Sequence, residues 1–153
     1  MLRKSRVSTL AAATILTVSA PGMESRGVAA AADPNWEVMV WTAPLTVSVD
    51  KASIALHASR TIARVIWDYA EARSAVGQMS LPYKSMIGTV VFDCATLQFG
   101  AAGSVAYTED GGDGEVVAQY SIDPDTAKLG EADPGTLGGD LVAYVCAHVP
   151  AKR

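Results

Sequence analysis

Cysteine and histidine are scarce in this chain of 153 residues, which contains two of each. Two cysteines cannot form a structural zinc site alone, and His57 and His148 lack the paired spacing that is usual for zinc ligands. The sequence also contains no G-x-S-x-G motif around a nucleophilic serine. We therefore expect no cofactor and favour a protein that is not an enzyme.

Long hydrophobic runs are missing as well. The most apolar stretch near the N-terminus, residues 7–20, is shorter than the roughly 20 residues that span a membrane. Basic residues precede it and a run of small residues at 28–32 follows it, which is the order of a secretory signal. The sequence thus predicts a signal peptide over residues 1–32 and a single mature domain over residues 33–153. The alternative is an uncleaved or disordered N-terminal tail.

Positive charge is sparse in the predicted mature chain. Cleavage after residue 32 removes four of the 12 basic residues and one of the 16 acidic residues, which leaves a net charge of −7. Nucleic acids and anionic membrane surfaces select for clustered lysine and arginine, so both are excluded as expected partners. We expect no transmembrane segment in the mature chain and a location in the periplasm, at the cell surface or outside the cell.

The two cysteines, Cys94 and Cys146, both lie in the predicted mature chain. In an exported protein an even cysteine count favours a disulfide. Two buried free thiols or a bridge between two chains are the alternatives.

Alternating apolar residues predict an antiparallel sheet. Residues 61–71 form the clearest strand, because Ala63, Val65, Trp67 and Tyr69 fall on one face, which we assign to the core. A turn is expected at residues 51–53, and a glycine-rich acidic hairpin tip at residues 109–115. Further strands are expected at residues 36–41, 45–49, 54–57, 83–93, 97–107 and 116–122.

The end of the chain has a helical period. Apolar residues recur at helical spacing from Leu137 to Val145, and Thr136 is a suitable N-cap. Strands followed by one helix predict an α+β fold, with an antiparallel sheet of about six strands and the C-terminal helix packed on one face.

Short motifs in a fixed order resemble the surface-adhesin protein E-like domain family of Gram-negative bacteria. They are Tyr83-Lys84-Ser85, Phe92-Asp93-Cys94, Tyr107, Pro134-Gly135-Thr136-Leu137 and Val145-Cys146. The resemblance covers about residues 35–147. It implies an envelope protein with a Cys94–Cys146 bridge. Named members of the family are adhesins that recognise host matrix proteins, and some are dimeric or lipid-anchored. This sequence has no lipidation cysteine.

Three residues are the candidate binding surface. Strand alternation places Trp41 opposite Trp36, so Trp41 is expected to be exposed. Tyr83 and Lys84 lie in one of the family-like motifs. The alternative for Lys84 is a charged residue that protects a strand edge from pairing.

Weaker candidates involve acids and histidines. Glu109, Asp110, Asp113 and Glu115 could bind calcium, although they do not match the EF-hand spacing and a solvated turn is the simpler interpretation. His57 and His148 could serve catalysis, but neither lies in a recognisable motif. Asp123 and Asp125 flank Pro124 and could act as an acid–base pair, but a turn is the simpler interpretation.

The function favoured by the sequence is an exported envelope binding or structural module. Its expected partner is a protein, with host extracellular matrix proteins such as laminin or vitronectin as candidates. The sequence does not decide between a monomer and a homodimer. The alternatives are a small periplasmic enzyme, an enzyme inhibitor, or a haem- or metal-binding protein.

Overall fold

In the computed structural model, residues 34–74 and 81–151 are described. The predicted signal peptide over residues 1–32 lies outside them. The described chain contains seven strands and one α-helix. They are β1 (Trp36–Thr42), β2 (Leu45–His57), β3 (Arg60–Arg73), β4 (Tyr83–Asp93), β5 (Gln98–Tyr107), β6 (Val116–Ser121), β7 (Gly130–Glu131) and α1 (Leu137–Ala147).

All strand pairs are antiparallel, and strands β1 to β6 lie side by side in chain order. The short β7 pairs with the beginning of β5, next to β6. Such a meander follows from short connections, and the turn between β2 and β3 needs only Ala58, at a φ of 53°, and Ser59. The predicted α+β fold, with an antiparallel sheet and a C-terminal helix, is confirmed.

The turn expected at residues 51–53 is wrong, because β2 continues through this segment with a bulge between Asp50 and Ala55. The Asp50 carboxylate is almost fully buried and accepts hydrogen bonds from the backbone amides of Asn35 at 2.9 Å and Ala52 at 3.1 Å. The Arg64 guanidinium lies 3.7 Å from it. The polar residues at 50–53 resemble a turn in the sequence, but in the structure they form a bulge within β2, which the contacts of Asp50 stabilise.

One face of the sheet carries the main core. Residues Val47, Val65 and Phe92 are fully buried there, and Leu141, Val142 and Val145 of α1 pack against this cluster. Each buried aliphatic side chain contributes roughly 1.5–3 kcal/mol, so this layer supplies most of the hydrophobic stabilisation.

Helix α1 is fixed near both of its ends. The Thr136 hydroxyl accepts a hydrogen bond from the backbone amide of Gly139 at 3.2 Å, as expected of the predicted N-cap. Near the other end of the helix, Cys146 forms a disulfide with Cys94, which follows β4. The predicted disulfide between Cys94 and Cys146 is present. None of the helices in the described residues is long and apolar enough to cross a membrane.

Candidate functional site

A cleft of about 620 Å³ opens at one end of the sheet, where β1 and β3 end and where β2 and β4 begin. We call it the sheet-end cleft. Its walls include Thr42, Thr46, Asp68, Tyr69, Lys84 and Asp110.

Lys84 lies in the wall of this cleft, as a partly exposed side chain. Its ammonium group is 3.5 Å from the Asp110 carboxylate, and the lysine and aspartate side chains are 31% and 67% exposed. An ion pair this exposed contributes only about 0–1 kcal/mol. Lys84 and Asp110 can therefore separate and pair with charged groups of a binding partner at little cost in free energy. This property suits a binding surface.

Tyr83 lies next to Lys84 and supports the cleft from the side. Its ring meets the Tyr69 ring edge to face, with 5.7 Å between centroids, and the Arg73 guanidinium lies 5.3 Å from the Tyr69 centroid. Burial raises the pKa of Tyr69, and Tyr83 adds to the increase while Arg73 opposes it. The cleft wall thus contains a neutral tyrosine as well as the charged pair.

The third predicted binding residue, Trp41, pairs with Thr46 at the same end of the sheet. Its side chain lies outside the described part of the structure. A bulge between Val38 and Val40 shifts the register of β1, so the prediction that Trp36 and Trp41 alternate to opposite faces does not follow from the backbone. Of the three candidate residues, Lys84 lines the sheet-end cleft and Tyr83 contacts Tyr69 of its wall. Trp41 is placed only by its backbone pairing.

The acidic tip, residues 109–115, connects β5 to β6 as predicted, but it is folded back against the sheet. The Asp68 carboxylate accepts a hydrogen bond from the backbone amide of Gly111 at 2.6 Å. The buried Ser85 hydroxyl accepts one from the amide of Gly112 at 3.0 Å and donates one to the carbonyl of Glu109. These contacts hold Asp110 at the cleft.

Glycine is required in this tip for two reasons. Gly111 and Gly112 have φ angles of +71° and +82°, which side chains rarely adopt. A Cβ atom at Gly112 would also lie 2.6 Å from the Ile87 side chain. The four acids Glu109, Asp110, Asp113 and Glu115 do not bring three carboxylates close together in the described structure.

The histidines lie far apart in the chain and in different elements. His148 caps α1 and stacks on Tyr144, with 4.2 Å between ring centroids. His57 ends β2 and contacts Asp125 in the turn that contains Pro124. The described structure places no serine beside either imidazole within hydrogen-bonding distance.

Comparison with known families identifies the family of this chain. The family model described as surface-adhesin protein E matches residues 36–147. This chain belongs to the surface-adhesin protein E family. The match spans every strand of the described residues and the whole of α1, from Trp36 to Ala147.

Solved structures of Haemophilus influenzae protein E are similar to this chain. One has 14% sequence identity and a TM-score of 0.54, covering 84% of this chain and 91% of that chain. Another, of protein E from a non-typeable strain, has 14% identity and a TM-score of 0.53, covering 84% and 82%. Identity this low shows a shared fold alone. A comparison with curated protein sequences finds no significant match.

Sequence reasoning missed the residues that build the cleft, namely Asp68 and Ser85. Both lie in strands whose alternation only assigns them to the face opposite the core. Their partners are backbone groups of the tip at residues 109–115, which is distant in sequence, so no local residue pattern predicts the contact.

Proposed function

We propose that this protein is an exported, non-enzymatic, adhesin-like binding module of the bacterial envelope, and that it contacts a host matrix protein at the sheet-end cleft. Family membership supports the adhesin-like role. The single observation that carries the choice of surface is the exposed Lys84–Asp110 pair in the wall of a cleft that also contains Tyr69. The predicted signal peptide over residues 1–32 supplies the route out of the cytoplasm.

The chemistry of the cleft fits a protein partner. Protein interfaces are enriched in tyrosine, and the charged groups they contain face complementary charges of the partner. The tip presents Asp110 on a backbone that Asp68 and Ser85 hold in place, so little loop ordering is needed on binding. Lys84 then offers a cation and Asp110 an anion within one recess.

Binding to immobilised laminin and vitronectin tests the proposal. We expect saturable binding that Lys84→Ala weakens about tenfold, which is the loss of one good interface contact. Lys128→Ala is the matched control, because this exposed lysine lies outside the cleft. Absence of binding by the unaltered protein would remove the matrix role, and equal binding by Lys84→Ala would remove the cleft.

We also propose that the protein forms a homodimer through the free edge of β6. Among the described strands β6 pairs only with β5, and it contains no charged residue or proline to block further pairing. Val116 and Tyr120 are 53% and 50% exposed on this strand. Sedimentation should give a dimer for the unaltered protein and a monomer for Tyr120→Lys. A monomer in both cases would exclude this arrangement.

A further inference from the structure

A second group of chemically competent side chains lies at the opposite end of β2 and β3 from the sheet-end cleft. His57, the last residue of β2, approaches Asp123 and Asp125 from a segment more than sixty residues later in the chain. One ligand atom from each residue lies within 4.8 Å of both others. This is the one such group of three histidine, cysteine or acidic side chains among residues 34–74 and 81–151.

The spacing in this group matches shared coordination better than direct hydrogen bonding. His57 Nε2 and Asp125 Oδ1 are 3.7 Å apart. A charge-assisted hydrogen bond between them would be about 2.7–2.9 Å long. Two ligands of one tetrahedral zinc ion, each at about 2.0–2.1 Å from the metal, lie roughly 3.4 Å apart. The two atoms therefore need to move only slightly to share an ion.

The side chain of Arg60 holds the two segments of this group together. Arg60 is the strand partner of His57 across the β2–β3 turn. Its guanidinium donates hydrogen bonds to the carbonyls of Pro124 at 2.9 Å and Ala127 at 3.2 Å. These bonds attach the turn formed by Pro124–Thr126 to the end of the sheet. Three potential ligands from two distant segments are thus arranged before any ion arrives.

The individual side chains are also available to a metal. Asp123 uses one oxygen, Oδ1, to accept a hydrogen bond from the backbone amide of Asp125 at 2.9 Å, which fixes its carboxylate and leaves its other oxygen for a ligand. His57 is partly exposed and Asp125 is exposed, so an ion can reach both from solvent. Two carboxylate oxygens and one imidazole nitrogen are donor atoms that a divalent transition metal accepts.

We propose that His57, Asp123 and Asp125 form a binding site for a divalent transition-metal ion of the zinc type. Imidazole favours zinc over calcium or magnesium, which take oxygen ligands. Three protein ligands leave at least one coordination position open, for water or for a donor group of another molecule. The site is independent of the proposed adhesive function and of the sheet-end cleft.

Calorimetric titration of untagged exported protein with zinc chloride tests this proposal. We expect one zinc ion per chain, with affinity weakened about tenfold or more by His57→Ala and by Asp125→Asn. His148→Ala is the control for loss of an imidazole, since the chain has only two histidines. Asp113→Asn is the control for loss of an exposed carboxylate. Both controls should bind zinc as the unaltered protein does.

Thermal melting gives a second measurement on the same variants and shows whether each one is folded. Zinc should raise the melting temperature of the unaltered protein and of both controls, because an ion that binds only the native state stabilises it. At the same zinc concentration it should raise that of His57→Ala or Asp125→Asn clearly less. Absence of saturable binding, or unchanged binding after both of these substitutions, would overturn the proposal.

Discussion

Replacing Cys94 and Cys146 together by alanine removes the cross-link that joins the end of β4 to the last turn of α1. Both residues are changed, so that no free thiol remains to form other bonds. The two cysteines are 52 residues apart in the sequence. In the folded state both side chains are only partly buried, so the substitution leaves a small packing defect.

The expected loss of stability comes mainly from the unfolded state. For a loop of this length the chain-entropy relation gives about 4 kcal/mol at 25 °C. Residual compactness of the unfolded chain lowers the figure, so we expect a loss of about 3–4 kcal/mol. Small domains are stable by only about 5–15 kcal/mol in total, so the loss is a large share.

Urea unfolding followed by tryptophan fluorescence measures the effect. Leu141→Ala is a useful comparison, because Leu141 is 2% exposed in the core and its truncation acts on the folded state, with an expected cost of about 2–5 kcal/mol. Adding a reductant should lower the stability of the unaltered protein and of Leu141→Ala, but not that of the double cysteine variant. Such a pattern separates the cross-link from the packing of α1.

Two results would refute this reasoning. The first is a difference below about 1 kcal/mol between the double variant and the oxidised protein, well short of the entropic estimate. The second is detection of two free thiols in exported protein by mass analysis without reduction. Either result would mean that packing alone holds α1 on the sheet.

Two further predictions follow from the backbone. Gly100→Ala should destabilise the protein by about 1–3 kcal/mol in urea unfolding, since a Cβ atom there would overlap a backbone carbonyl, whereas Gly130→Ala has open space and should be neutral. The backbone amides of Thr96 and then Ala95 hold the pKa of Asp93 below its ordinary value. The stabilisation from these two hydrogen bonds is therefore fully present above the pKa that Asp93 has in the unfolded chain. It is lost as the pH falls through the lower pKa that Asp93 has in the folded protein. Asp93→Asn should lower the urea midpoint at neutral pH, by an amount that shrinks in acid; a constant difference would contradict this.

The strand and helix pattern could be predicted because it depends on local periodicity. Alternation in residues 61–71 gave the correct faces for Ala63 and Val65, and Thr136 marked the start of α1. An even cysteine count in a predicted exported chain sufficed to favour the disulfide. Each of these signals is contained within a few residues or within the composition.

The parts that were missed depend on contacts between distant segments. The bulges in β1 and β2 shift which side chains face the core, and the polar stretch around Asp50 looks like a turn until its backbone partners are known. Likewise, His57 and Asp125 are unremarkable in sequence and meet where Arg60 bonds the later turn to the sheet. No local pattern encodes such pairings.

Hydrogen exchange of the protein bound to laminin or vitronectin tests the central proposal most directly, because it locates the contact surface on the intact molecule. The account predicts slower amide exchange in the tip at residues 109–115 and in the strand ends around Thr46 and Lys84, with no change at the β2–β3 turn near His57. Protection confined to the β2–β3 turn or to α1, with the tip unchanged, would contradict it.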